Sequence, residues 1–339
     1  MIVLTGAHIA AIEYVLPTRK VSNDELAILH PQWNMDQVVL RSGVENRYWC
    51  DSSETALDLA EIACRKLFAR IDRERKNIGA ILFCTQSPDY IMPPNACYLQ
   101  HRLGLPRNIA ALDFSLACSG FIYGLYLAKA IINSGMAENV LLVTSETYSK
   151  WIHPDDRGPL TLFGDGAAAT LVSAGEPAIG AFALGTDGAA ASTFIIPAGG
   201  ARLPRSSETA RPVMDQSGNI RTAEHLCMDG TAVLDFVKKE IPLFVRSFLD
   251  REGQALDGID LVIFHQASKA ALDYLNRALH VPPNKQFSDI SDIGNTVSAS
   301  IPIALRDAEV QERLKPGMRV LLVGFGVGLS YGCCILDWC

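Results

Sequence analysis

The chain has 339 residues, of which 49% are hydrophobic and 20% charged, and its formal net charge is −7. This length allows a large core and, taken alone, predicts about two domains. The basic residues are scattered, which argues against a nucleic-acid-binding protein because such proteins concentrate positive charge on one face. The longest basic cluster, residues 70–76, alternates with acids and is predicted to be a solvated helix face.

The cysteines and the N-terminus indicate the compartment. The nine cysteines form no C-x-x-C pair, and several lie inside apolar runs, namely Cys84, Cys97, Cys333 and Cys334. We therefore expect a reducing compartment, with neither a disulfide framework nor a structural zinc site. No secretory signal pattern and no apolar run of membrane-spanning length is present. These features predict a cytoplasmic protein without a membrane span.

In the first half, strands and helices alternate. Apolar residues recur at helical spacing over residues 55–68 and predict a helix there. Apolar runs of four to six residues within residues 80–86 and 139–144 are typical of strands that are buried on both faces, and another strand is predicted to end within residues 112–115. Such alternation predicts sheets covered by helices.

The second half has the same order of elements. The polar stretch at residues 199–221 contains prolines and glycines and is predicted to be a long exposed loop or flap. Apolar spacing predicts a helix over residues 233–244. Residues 260–266, 292–295 and 319–324 each follow their counterparts in the first half at an offset of 180 residues.

This repeat predicts the fold class. Two tandem βαβ sets imply an α/β protein with two pseudo-symmetric halves in a layered α/β/α/β/α arrangement. We place the formal domain boundary between residues 1–175 and residues 176–339. The halves are expected to share one core, so this boundary is not a hinge.

Three residues are candidates for chemistry. Cys118 follows a strand and begins a helix rich in small residues, where backbone N–H groups and the helix dipole would lower the pKa of a thiol. His265 lies at the carboxyl end of an apolar strand, an edge where ligand sites collect. Asn295 begins another helix. Taken singly, each has an ordinary alternative, which is a core cysteine, a polar core histidine and an N-cap asparagine. The repeat brings the Cys118 and Asn295 turns to corresponding places, which favours a shared site.

The chain resembles β-ketoacyl-ACP synthase III, a branch of the thiolase superfamily, and the resemblance extends over nearly its whole length. The resemblance is carried by Ser87-Pro88-Asp89-Tyr90, Ala117-Cys118-Ser119-Gly120-Phe121, Asp156-Arg157-Gly158, Leu162-Phe163-Gly164-Asp165-Gly166-Ala167, His265-Gln266-Ala267, Gly294-Asn295-Thr296 and Gly324-Phe325-Gly326. The order Cys, His, Asn is typical of this branch, whereas elongating synthases of the superfamily resemble a Cys-His-His pattern.

The resemblance implies a thiolase fold and a decarboxylative condensation. Cys118 would accept an acyl group from acyl-CoA, and a malonyl thioester on ACP or CoA would then lose CO₂ and extend it. His265 and Asn295 would stabilise the enolate, and the N–H groups of Cys118 and Val327 would form an oxyanion hole. No cofactor is expected. Fatty acid initiation or related lipid and secondary-metabolite synthesis would be the setting.

Two departures from the family pattern concern the binding of CoA or the carrier. Where the family has an Asn-x-Arg segment, this chain has Ser268, Lys269 and Ala270, and Lys269 could replace the arginine only as a point charge.

A tryptophan that flanks the CoA adenine in many relatives corresponds here to Gln37. Nearby Trp33 and Trp151 are candidates to replace it. Arg157 keeps the family arginine, and Arg41 is assigned to the same binding wall.

A third departure concerns the acyl pocket. Met92 stands where relatives often carry a bulky aromatic that crosses a dimer interface and caps the acyl pocket of the partner subunit. Methionine is flexible, so we expect a pocket that accepts more than an acetyl group. The resemblance also implies a homodimer.

The sequence leaves other classes of function open or disfavours them. An acyltransferase or thioesterase could use Cys118 without decarboxylation. A non-catalytic subunit is disfavoured because Cys118, His265 and Asn295 are all intact. The segment Gly324-Phe325-Gly326-Val327-Gly328 lies too close to the C-terminus for a dinucleotide-binding unit, which argues against a dehydrogenase.

Overall fold

The computed structural model describes residues 6–71 and 77–339. The first half contains β1 Gly6–Val15, β2 Arg19–Ser22, α1 Asn23–Leu29, α2 Met35–Ser42, β3 Asn46–Trp49, α3 Ala56–Arg70, β4 Ile78–Cys84, α4 Asn95–Arg102, β5 Ala110–Phe114, α5 Gly120–Asn133, β6 Asn139–Glu146, α6 Arg157–Leu162 and β7 Gly166–Gly175. The second half contains β8 Ile179–Thr186, β9 Phe194–Ile195, β10 Val213–Met214, β11 Ile220–Arg221, β12 Cys227–Met228, α7 Gly230–Arg251, β13 Leu261–Phe264, α8 Lys269–Leu279, α9 Ile290–Ile293, α10 Ser300–Val310, β14 Arg319–Gly326 and β15 Ser330–Asp337.

The predicted helix at residues 55–68 is α3. Thr55 caps it through a reciprocal pair of hydrogen bonds with Asp58, which satisfies two backbone donors that the first turn leaves free. The helix ends at Arg70, whose guanidinium pairs with Glu13 and Glu309. The rest of the predicted solvated cluster, residues 72–76, lies outside the described residues. The second predicted helix lies within α7.

Two sheets with matching strand orders form the frame. The first has the order β1-β7-β6-β4-β5, and the second has the order β8-β15-β14-β13. Each sheet contains a corresponding parallel pair, β4 with β6 and β13 with β14. At the other end of each sheet the edge strand is antiparallel to its neighbour, β1 with β7 and β8 with β15. The pseudo-two-fold repeat predicted from the sequence is therefore present.

One block of the predicted repeat is wrong. Residues 112–115 overlap β5, but their proposed counterpart at residues 292–295 is the end of the short helix α9 and the turn after it. The true counterpart of β5 is a single parallel bridge between Gln286 and Val262. The residues before this bridge form a 3-10 turn, Pro283–Lys285, and α9 begins soon after it at Ile290, so the paired segment is too short to be a strand.

The layers of the fold can be traced from the strands, because alternate residues of a buried strand face opposite sides of its sheet. In β6, Val140 and Leu142 face the middle of the molecule, whereas Leu141 and Val143 face α3 and α4. The middle layer consists of α5 and α10, which pack between the two sheets. The second sheet is covered on its outer face by α7 and α8. The arrangement is thus five-layered, α/β/α/β/α, and the middle layer draws on both halves.

The remaining expectations concern loops and cysteines. Residues 199–221 are mostly exposed, as predicted, but they end in the β10–β11 hairpin. All nine cysteines are free, and Cys97 is exposed rather than buried because it lies on the outer face of α4. No helix in the described parts of the chain is long and apolar enough to cross a membrane.

Candidate active site

Cys118 lies in the tight turn between β5 and α5, two residues before the helix begins. Its side chain is almost completely buried. The strand β14 closes over it: a Cβ on Gly326 would lie 2.6 Å from the Cβ of Cys118 and 2.8 Å from its sulfur. Only glycine fits such a distance, which explains why this position of the motif carries no side chain.

The electrostatics of Cys118 differ from the sequence-based expectation. Burial raises the pKa of the Cys118 thiol, and the nearby Glu146 raises it further. The backbone N–H groups of Cys118 and Val327 reach the sulfur and act in the opposite direction. Desolvation outweighs these two donors, so the resting residue is a neutral thiol rather than the predicted low-pKa thiolate.

His265 follows β13 directly, as predicted, and its backbone N–H donates to Val323 on β14. Its Nδ1 lies 2.6 Å from the hydroxyl of Ser300, at the start of α10. The ring of Phe325 packs edge-on against it at 5.6 Å between centroids. Burial lowers the pKa of His265 to about 3, so the imidazole is neutral near pH 7.

Asn295 lies in the turn after α9, where its backbone joins the two halves. Its N–H donates to the carbonyl of Leu162, and its carbonyl accepts from the N–H of Gly164. Its side-chain Oδ1 accepts from the N–H of Val297 at 2.9 Å, which fixes the orientation of the amide. The Nδ2 therefore points to His265, 3.4 Å from Nε2.

The sequence did not reveal Glu146, at the end of β6. Its carboxyl is fully buried and accepts from the N–H of Gln86 at 3.0 Å, from the hydroxyl of Ser87 at 3.1 Å and from the hydroxyl of Ser298 at 2.8 Å. Burial raises its pKa to about 8, although these hydrogen bonds act in the opposite direction. The sequence signal that could have identified Glu146 is its position at the carboxyl end of a parallel strand. The corresponding edge in the other half carries His265.

One cavity of about 1060 Å³ brings the candidate residues together. Cys118, His265 and Asn295 all lie on its wall. Its outer part is lined by four residues that were predicted to bind CoA or the carrier, Gln37, Arg41, Arg157 and Ser268. Ala270, which replaces the family arginine, also faces this cavity. No group of His, Cys, Asp and Glu within residues 6–71 and 77–339 could hold a metal ion.

The β10–β11 hairpin forms part of the cavity mouth, which the sequence did not predict. Arg221 lies 2.7 Å from Asp215 in the hairpin turn and 3.1 Å from Asp156, just before α6. Asp156 is almost completely buried, and burial raises its pKa to about 6 although Arg221 lowers it. An ion pair between the partly buried Arg221 and the buried Asp156 thus fastens the end of the exposed loop beside Arg157.

Three residues predicted as CoA or carrier contacts, Trp33, Trp151 and Lys269, do not line the cavity. Trp151 packs against the apolar cluster around Cys118 and donates its indole N–H to Ser87 at 3.3 Å. Lys269 is half-exposed and pairs with Asp273 one turn along α8 at 2.5 Å. Trp33 stacks on His30 at 3.8 Å between ring centroids. Met92 is 78% exposed on the single chain.

Two family models and many curated proteins match this chain. The family described as 3-oxoacyl-[acyl-carrier-protein (ACP)] synthase III matches residues 112–188, and the family of its C-terminal part matches residues 249–338. The β-ketoacyl-[acyl-carrier-protein] synthase III 3 of Streptomyces coelicolor is 34% identical, over 95% of this chain and 94% of its own.

Solved structures agree. A crystal structure of a 3-oxoacyl-(acyl-carrier-protein) synthase III superposes with a TM-score of 0.96 and 42% identity, covering 98% of this chain and all 100% of that chain. A 3-oxoacyl-(acyl-carrier protein) synthase from Burkholderia xenovorans has a TM-score of 0.89 and 33% identity, over 99% of this chain and 95% of its own. The chain therefore belongs to the 3-oxoacyl-ACP synthase III family and is a condensing acyltransferase with the thiolase fold.

Proposed function

We propose that the protein joins an acyl-CoA primer to a malonyl thioester by decarboxylative Claisen condensation. The observation that carries this proposal is the convergence of Cys118, His265 and Asn295 on one cavity, with two backbone N–H groups at the Cys118 sulfur. A thioester carbonyl that enters this cavity meets a nucleophile and a pair of donors together.

In the first half-reaction, the Cys118 sulfur bonds to the acyl carbon while the bond from that carbon to the CoA sulfur breaks. The proton of the neutral Cys118 thiol is transferred to the CoA sulfur, so CoA leaves as the free thiol. The N–H groups of Cys118 and Val327 are the donors for the oxyanion of the tetrahedral intermediate. Because burial disfavours the free thiolate, loss of the proton is expected to accompany binding of the acyl donor.

In the second half-reaction, the malonyl unit loses CO₂ and the electron pair of the broken bond forms an enolate. Neutral His265 can donate from Nε2 if the Ser300 hydroxyl, 2.6 Å away, donates to Nδ1. The amide of Asn295 donates from Nδ2, which is held beside the same Nε2. Both donors then face one point, where the enolate oxygen would sit. The enolate carbon attacks the acyl-Cys118 carbonyl, and the sulfur departs and is reprotonated.

The acyl donor and the carrier are proposed to enter through the outer cavity. Arg41 and Arg157 line this part and supply positive charge for phosphate groups, with Gln37 and Ser268 as neutral partners. Ala270 leaves this wall without the family arginine, so we expect weaker anchoring of phosphopantetheine than in typical relatives. The malonyl carrier is ACP or CoA.

The subunit arrangement and the location are also proposals. The exposure of Met92 supports a homodimer in which this residue reaches the acyl pocket of the partner subunit. The free state of all nine cysteines supports a cytoplasmic location, because oxidising compartments favour disulfides.

The test is incubation with a panel of acyl-CoAs, followed by mass spectrometry to locate the adduct. We expect label on Cys118, none in Cys118→Ala, and normal label in Cys97→Ala, which removes an exposed cysteine outside the cavity. Label equally present in Cys118→Ala would contradict the proposal. Product without the two-carbon extension, regardless of the malonyl donor, would instead indicate an acyltransferase or thioesterase.

A further inference from the structure

Two buried serines connect the loop of the nucleophile to the end of β14. Ser119, next to Cys118, lies with its hydroxyl 2.7 Å from the hydroxyl of Ser330, at the start of β15. Ser330 in turn donates to the carbonyl of Val327 at 2.6 Å. Ser119 is fully buried and Ser330 is almost so. The contact spans 211 residues of sequence, from the first half of the molecule to the second.

The direction of these hydrogen bonds follows from proton counting. A serine hydroxyl has one proton, and a carbonyl can only accept. Because Ser330 gives its proton to Val327, the proton between the two serines must come from Ser119. The chain therefore runs from Ser119 to Ser330 to the Val327 carbonyl, and neither buried hydroxyl is left without a partner.

We propose that Ser330, supported by Ser119, is a positioning residue that holds the Val327 N–H at the Cys118 sulfur. This inference rests on the proposed role of that N–H in the oxyanion hole. The serine pair fixes the Val327 carbonyl, and the closely packed Gly326 fixes the other side of the same residue against Cys118. Together these contacts leave the Val327 N–H little freedom to turn away from the reacting carbonyl.

The consequence is specific to one kind of reaction at Cys118. Acylation by a thioester forms an oxyanion, whereas alkylation by iodoacetamide at the same sulfur forms none. Removing an oxyanion donor outright costs about 100- to 1000-fold in rate. Loosening it through Ser330→Ala should cost less, so we expect acylation to slow by about tenfold, mainly in kcat rather than KM.

The experiment compares both reactions in native protein, Ser330→Ala, Ser330→Thr and Ser119→Ala. We expect Ser330→Ala to be acylated slowly and alkylated at the native rate. Ser330→Thr, which keeps the hydroxyl, should be acylated faster than Ser330→Ala. Ser119→Ala should show a smaller loss, because Ser330 can still donate to Val327. If Ser330→Ala does not fold, Ser119→Ala provides the same comparison of acylation with alkylation.

Two outcomes overturn the inference. One is acylation at the native rate in Ser330→Ala, or in Ser119→Ala where Ser330→Ala does not fold. The other is a parallel loss of acylation and alkylation, which would mean that the serines only pack the Cys118 pocket. Failure of the proposed function is distinguishable from both, because the native protein itself would then take no acyl group from any acyl-CoA in the panel.

Discussion

The buried carboxyl of Glu146 leads to a quantitative prediction about pH and stability. Burial raises its pKa from 4.5 to about 8, so between these values the folded protein holds a proton that the unfolded chain has lost. The free energy of unfolding therefore falls as pH rises through this window, by up to about 1.4 kcal/mol per pH unit. From pH 6 to pH 8 the expected loss is about 2 kcal/mol.

Replacing Glu146 by Gln keeps the size of the side chain and removes this titration. Burial also raises the pKa values of Asp156 and Asp165, to about 6, so they change the free energy of unfolding with pH in the same direction. Both residues are present in the native protein and in the variant, so their effects cancel in the comparison. Denaturant unfolding at several pH values measures the difference. The native protein should lose about 2 kcal/mol more than Glu146→Gln from pH 6 to pH 8.

The control is Glu138→Gln, which changes an exposed glutamate immediately before β6. The free energy of unfolding of Glu138→Gln should change with pH as that of the native protein does. Parallel native and Glu146→Gln curves would refute the reasoning, because they would mean that Glu146 is already ionised at low pH. A second readout is alkylation of Cys118: above about pH 8 the variant should react faster, since the Glu146 carboxylate, which raises the pKa of the Cys118 thiol, is gone.

Three further predictions concern the proposed reaction. His265→Ala and Asn295→Ala should still be acylated, but a labelled malonyl donor should show CO₂ release at least about 100-fold slower than in the native protein. Normal condensation by either variant contradicts the role of the residue that it lacks. Met92→Trp should shorten the acyl chains accepted in a competition assay, and an unchanged preference counts against the pocket argument. Arg221→Ala should raise KM for acyl-CoA several-fold at constant kcat, because the hairpin loses its anchor at Asp156, and steady-state kinetics with an unchanged KM would exclude that role.

The regular frame could be predicted from the sequence because each element carries its own signal. Runs such as residues 139–144 are apolar on both faces, and this pattern is typical of a sheet that helices cover on both sides. The offset of 180 residues pairs the elements of the two halves without any knowledge of their contacts. It was wrong only at residues 292–295, because the counterpart of β5 is the earlier bridge at Gln286 and α9 lies between that bridge and Asn295.

The site could be predicted only in part, because side-chain direction depends on distant contacts. Trp151 and Lys269 have suitable chemistry for CoA, but one is turned towards Ser87 and the other towards Asp273. The pKa of Cys118 was predicted with the wrong sign because helix position is visible in the sequence and burial is not. The hairpin at the cavity mouth was also hidden, since its anchor Arg221 meets Asp156 from 65 residues away in the chain.

The middle layer of α5 and α10 has a consequence for dividing the chain. Each of these helices is apolar towards both sheets, so a fragment ending at Gly175 would expose α5 on the side that β14 and β15 normally cover. Neither fragment produced by a cut between residues 175 and 179 should therefore be stable alone. Co-expressed, the two should complement each other, and activity would report their reassembly because Cys118 and Asn295 would come from separate polypeptides.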